Sequence, residues 1–113
     1  MTDWTEEIER ERRRAEQTNH PGRLRTIARR IAGLALRQLP GRLLRNAPAD
    51  DYVGMLRGAM DVPEIPAEVR DAASRLQARL SADFTSPSKD PVGDAMIIVR
   101  YVEEVLRAGT STL

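Results

Sequence analysis

Apolar residues recur along this chain at helical rather than strand spacing. Leu24, Ile27, Ala28, Ile31, Leu34 and Ala35 form one stripe at 100° per residue, and Val69, Ala72, Ala73, Leu76 and Leu80 repeat at i, i+3, i+4, i+7 and i+11. No segment alternates apolar and polar positions for long, so no strand is expected. The first stripe predicts a helix from near Arg23 that Pro40 and Gly41 interrupt, with a short continuation carrying Leu43 and Leu44. Asp50 and Asp51 open a third helix with Tyr52, Val53, Leu56 and Met60, and Pro63 stops it. Pro66 suits the first position of the next helix.

The last helix begins with Asp90 as cap and Pro91 behind it, and Gly109 is expected to close it. Ala95, Met96, Ile97, Ile98, Val99, Tyr101, Val102, Val105 and Leu106 cover most of its circumference, which predicts that it lies at the centre of a bundle. At the other end, Asp3 and Glu6 match a capping box for a helix running to about Gln17. Trp4, Ile8 and Ala15 are its only apolar residues, so this segment is expected to dock loosely through Trp4 and Ile8, or to fray. The turn formers Asn19, His20, Pro21 and Gly22 follow it. The expected fold is therefore all-α: one domain over residues 1–113, a compact bundle of about five helices, with residues 1–20 as its charged N-terminal helix.

Composition narrows the chemistry. The 113 residues include no Cys, which excludes disulfides and thiolate zinc sites. The longest uncharged apolar runs, 31–36 and 95–99, are too short to cross a bilayer, and the chain opens on Asp3, Glu6 and Glu7 rather than a basic leader, so a cytoplasmic protein without a membrane partner is expected. The formal net charge of +1 conceals a segregation. Residues 1–22 carry four Arg against six acids, residues 23–60 eight Arg against two, and residues 61–113 six cations against nine acids. Between Arg23 and Ala49 there are seven Arg and no acid. On the helical wheel Arg23, Arg25, Arg29, Arg30 and Arg37 fall opposite the apolar stripe, as one basic face suited to a polyanion. A run of charge is ordinarily a solvated face, and the lack of acids to pair with is what singles this one out.

Catalytic constellations are missing. His20 is the only His and sits in a turn, which makes it a solvent-facing residue rather than a base or ligand. Asp50 and Asp51, like Glu103 and Glu104, are sequence neighbours that diverge by about 100° on a helix. The glycines match neither a P-loop nor a dinucleotide fingerprint. No cofactor, no metal and no enzymatic activity are expected. Tyr52 and Tyr101 read as core residues and Trp4 as a contact for a partner.

Two stretches carry a resemblance. The segment Ala35-Leu36-Arg37-Gln38-Leu39-Pro40-Gly41-Arg42-Leu43-Leu44-Arg45-Asn46, followed by the helix with Val53, Leu56 and Met60, and the closing helix Asp94-Ala95-Met96-Ile97-Ile98-Val99-Arg100-Tyr101-Val102 resemble the small α-helical subunit of CRISPR-Cas effector complexes. Together they span about a third of the chain. Ala47 and Pro48 follow Asn46 where that family has Gly, and Glu103 and Glu104 stand where it tends to be basic. The resemblance implies a non-catalytic subunit of an antiviral defence ribonucleoprotein. Such a subunit packs against copies of itself and backbone subunits and lines a groove that holds guide-target duplex or displaced strand, RNA or single-stranded DNA, by its phosphates. With the final helix acidic, Arg23, Arg25, Arg29, Arg30, Arg37, Arg42 and Arg45 would carry that role here.

Residues 7–21 also look like the opening of phage-type MazG-like nucleotide pyrophosphohydrolases, but Arg29, Arg30 and Gly33 stand where those enzymes need magnesium-binding glutamates. The alternative to nucleic-acid binding is a helical adaptor or phage-type regulator whose Arg face meets an acidic protein. A helix-turn-helix repressor ranks below both, because no short turn joins two helices with a polar recognition face.

Overall fold

In the computed structural model, residues 3–39, 51–78 and 89–111 are described, the side chains of 109–111 excepted. Five helices follow one another: α1 (Trp4–Glu16), α2 (Pro21–Leu36), α3 (Tyr52–Met60), α4 (Ala67–Gln77) and α5 (Pro91–Ser111). No strand occurs among the described residues. The fold is the expected all-α bundle. The expected break at Pro40 and Gly41, the continuation through Leu43 and Leu44, and Leu80 lie outside the described residues.

The helix starts follow capping chemistry. The Asp3 carboxylate accepts the Thr5 N–H at 3.3 Å, one position earlier than the expected Asp3–Glu6 box. His20 caps α2: its Nδ1 accepts the Arg23 N–H at 3.3 Å, so the exposed turn residue has a structural task. Pro21 therefore occupies the first turn, and α2 begins two residues before the expected start. Asp51 and Asp90 accept the N–H groups of Gly54 and Gly93 at 2.7 and 3.0 Å. Pro66 is itself the cap of α4 rather than its first residue. Gly109 does not close α5, which continues to Ser111. A glycine costs a helix about 1 kcal/mol relative to alanine and need not end it.

The centre of the bundle is α2, not α5. α2 packs against α1, α3 and α5 and, over a smaller area, α4, whereas α5 packs mainly on α2 and α4. Every residue from Ile31 to Leu36 is buried. Ala28, Ala32, Gly33 and Ala35 keep the helix thin, which lets neighbours approach from several sides. The apolar circumference of α5 measures its hydrophobicity and not its number of partners. Its Met96, Ile97, Tyr101, Val105 and Leu106 are only partly covered, and Arg100, Glu104 and Arg107 are exposed.

Gly33 marks the closest approach between α2 and α3. The Tyr52 ring lies over it so tightly that a Cβ built there would stand 2.8 Å from the ring Cγ and 2.9 Å from the Tyr52 Cβ. α1 docks through Ile8, Ala15 and the aliphatic part of Glu11, all buried, while Trp4 is half-buried against the core rather than held out for a partner. Polar ties complete the packing. Arg75 on α4 grips the buried Asp94 on α5 in a two-pronged pair at 3.1 and 2.8 Å, and Arg57 on α3 donates to Gln77 on α4 at 3.2 Å.

Candidate nucleic-acid interface

The Arg-rich face of α2 divides into two. Arg23, Arg30 and Arg37 recur at seven-residue intervals and stay within roughly 40° of one line, while Arg25 and Arg29 lie about a third of the circumference away. The two groups meet different neighbours.

Arg29 turns onto α4. Its Nε donates to the Leu76 carbonyl at 2.7 Å and an Nη donates to the Ala78 carbonyl at 3.2 Å. These are carbonyls that the end of α4 leaves without an intrahelical partner, and a cation there also complements the helix dipole. Burial, then the like charges of Arg25 and Arg57, pull the Arg29 guanidinium below its ordinary pKa. An arginine remains charged at neutral pH regardless, so the group works as a fixed tie between α2 and α4. The sequence placed Arg29 among the phosphate ligands; the structure commits two of its five N–H donors to carbonyls at the end of α4.

Arg30 and Arg37 turn toward α1. With Arg10 and Arg14 they line an open groove of about 480 Å3 between α1 and α2, whose remaining walls are Glu7, Glu11, Leu34 and Tyr52. Arg10 and Arg14 come from the segment whose total charge is negative, and reach the groove because Glu7, Arg10, Glu11 and Arg14 share one face of α1 at i, i+3, i+4 and i+7. The groove holds four guanidinium groups against two carboxylates, a net of +2.

Glu11 organises it. Its side chain is 9% exposed, and its Oε1 lies 3.2 Å from an Arg14 Nη and 3.4 Å from the Arg30 Nε. A carboxylate at this depth is stable only when its oxygens are satisfied, and the two arginines supply that. Both arginines remain more than half exposed, so each keeps donors facing solvent. The pairing offsets the cost of burying Glu11, and the docking of α1 rests on the burial of Ile8 and Ala15 beside it.

The remaining predicted residues are dispersed. Arg23 is exposed at the start of α2, outside the groove lining, and Arg25 is half-buried on the α4 side. Arg42 and Arg45 lie outside the described residues. Sequence reasoning missed Arg10, Arg14 and Tyr52 as neighbours of Arg30 and Arg37. The i, i+4 repeat of Arg10 and Arg14 was visible, but the docking direction of α1 was not.

Among the described residues no three His, Cys, Asp or Glu side chains cluster as metal ligands would, and no described helix is long and apolar enough to cross a membrane. The chain matches no protein-family model, no curated protein and no solved structure.

Proposed function

We propose that this chain is a non-catalytic, cytoplasmic helical subunit that holds nucleic-acid backbone in the α1–α2 groove, as the small subunit of a CRISPR-type ribonucleoprotein effector complex. The observation that carries the reading is the convergence of Arg10, Arg14, Arg30 and Arg37, from two helices, on one open groove. Guanidinium groups match phosphate oxygens in fork geometry, and phosphate contacts need no base-reading element. Packing against copies of itself and against backbone subunits follows from the sequence resemblance.

The contact between Arg30 and Glu11 decides which substitution tests this. Arg30→Glu would set a second carboxylate beside the buried Glu11 and loosen α1, confounding binding with folding. Arg30→Gln with Arg37→Gln removes the charge and keeps hydrogen-bonding capacity. The double variant is expected to bind a single-stranded oligonucleotide about thirtyfold more weakly in fluorescence anisotropy, taking roughly 1 kcal/mol per exposed guanidinium–phosphate contact. Wild-type affinity should fall steeply with salt. Arg29→Gln is the control: it should lower the melting temperature by releasing the end of α4 and leave affinity within twofold. Equal affinity of wild type and the double variant would overturn the reading.

A second reading, an adaptor for an acidic protein, is favoured by one observation: the anion already held in the groove is a carboxylate, that of Glu11. Absence of oligonucleotide binding at low salt, together with recovery of an acidic protein that the double variant fails to recover, would select it.

A further inference from the structure

We propose that the groove takes single-stranded rather than duplex nucleic acid, with one base stacked on Tyr52 while the neighbouring phosphates lie on Arg30 and Arg37. The proposal rests on the phosphate-binding reading above and adds to it the class of strand.

Tyr52 is the aromatic member of the groove lining, at the first position of α3. Its ring is backed by Gly33 of α2, where the absent side chain lets the ring sit down firmly, and it remains only partly buried. A partly exposed ring in the lining of a cationic groove suits a single strand: the backbone follows the positive charge and the bases stack on aromatic faces without regard to sequence. Duplex bases are already stacked on each other and offer no free face to such a ring. The groove volume of about 480 Å3 falls within the roughly 300–1,000 Å3 typical of small-ligand clefts, adequate for a nucleotide-sized group.

Tyr101 provides the contrast within the same molecule. It lines a smaller recess with Pro66, Val69, Ile97, Arg100 and two acids, Glu68 and Glu104. Burial, and then the charge of Glu64, raise the Tyr101 phenol above its ordinary pKa. With one arginine against two carboxylates in its lining, that recess repels a phosphate chain. Of the two tyrosines, only Tyr52 combines an accessible ring with a positive surround.

The experiment uses the full chain and two strands of equal length and charge, an oligothymidine and its abasic counterpart, with affinities from anisotropy. Wild type should bind the oligothymidine about tenfold more tightly than the abasic strand. Tyr52→Leu should erase that difference, Tyr52→Phe should preserve it, and Arg37→Gln should weaken both strands alike. As a check independent of Tyr52→Leu folding, a strand carrying 2-aminopurine should lose emission on binding to wild type and to Tyr52→Phe. Equal binding of both strands by wild type with unchanged 2-aminopurine emission overturns the stacking proposal and leaves the phosphate reading standing. Failure of wild type to bind either strand at low salt overturns both.

Discussion

Replacing Ile31 by Ala is expected to lower stability by about 3 kcal/mol, within the roughly 2–5 kcal/mol range for such truncations. The residue is fully buried in the one helix that packs against all four others. Part of the cost is the lost transfer of three methyl or methylene carbons, and part is the void that stays behind because the surrounding helices cannot all close on it. At about 4 °C per kcal/mol for a domain of this length, thermal denaturation followed by circular dichroism should show a midpoint drop of about 12 °C. Ile8→Ala, in the peripheral α1, should cost less, because α1 can readjust on α2 alone. A loss below 1 kcal/mol for Ile31→Ala, or a larger loss for Ile8→Ala, would contradict the placement of α2 at the centre.

The second large effect is expected at Gly33. Gly33→Ala gains roughly 0.5–1 kcal/mol of helix preference, yet it forces a methyl into the Tyr52 ring, where overpacking costs about 1–3 kcal/mol. Since the obstruction includes Tyr52 Cβ and not only the end of a flexible side chain, the start of α3 must move, and we expect the variant to be less stable by about 2 kcal/mol. Combining it with Tyr52→Ala removes the ring and leaves only the contact with the residue 52 Cβ. The double variant should therefore be more stable than the sum of the single effects by at least about 1 kcal/mol in urea denaturation, a coupling of the size seen for residues in direct contact. Additive effects would show that the two residues do not touch. Gly33→Ala also tilts the Tyr52 ring, so its effect on oligonucleotide binding should resemble that of Tyr52→Leu.

The elements were legible where one physical rule decided them. The stripes of α2 and α4 are periodic over several turns, and Asp51 and Asp90 cap α3 and α5 where turn chemistry put them. The reading went astray where the answer depended on a neighbour. The arginines of α2 looked like one face, because a wheel shows which side is polar but not which helix will lie along it. Once α4 and α1 pack on either flank, Arg29 is bonded to the end of one and Arg30 to a carboxylate of the other. The same limit hid Tyr52, whose role depends on a glycine 19 positions earlier. Hydrophobicity alone pointed to α5 as the centre. The small residues Ala28, Ala32, Gly33 and Ala35, which allow close approach, single out α2 instead.

Glu11 has a consequence for selectivity. Because it already occupies donors of Arg14 and Arg30, a phosphate on either arginine would share the guanidinium with Glu11 and use the donors left facing solvent. Glu11 is tethered, and a tethered competitor acts at an effective concentration on the order of millimolar or more. At Arg14 and Arg30 a free phosphate or chloride ion would meet that competitor and gain little. A strand carrying several linked phosphates can yield to Glu11 at one arginine while holding Arg10 and Arg37 with its neighbours. On the proposed reading, the carboxylate would thereby act as a threshold that favours a strand long enough to bridge it over small anions.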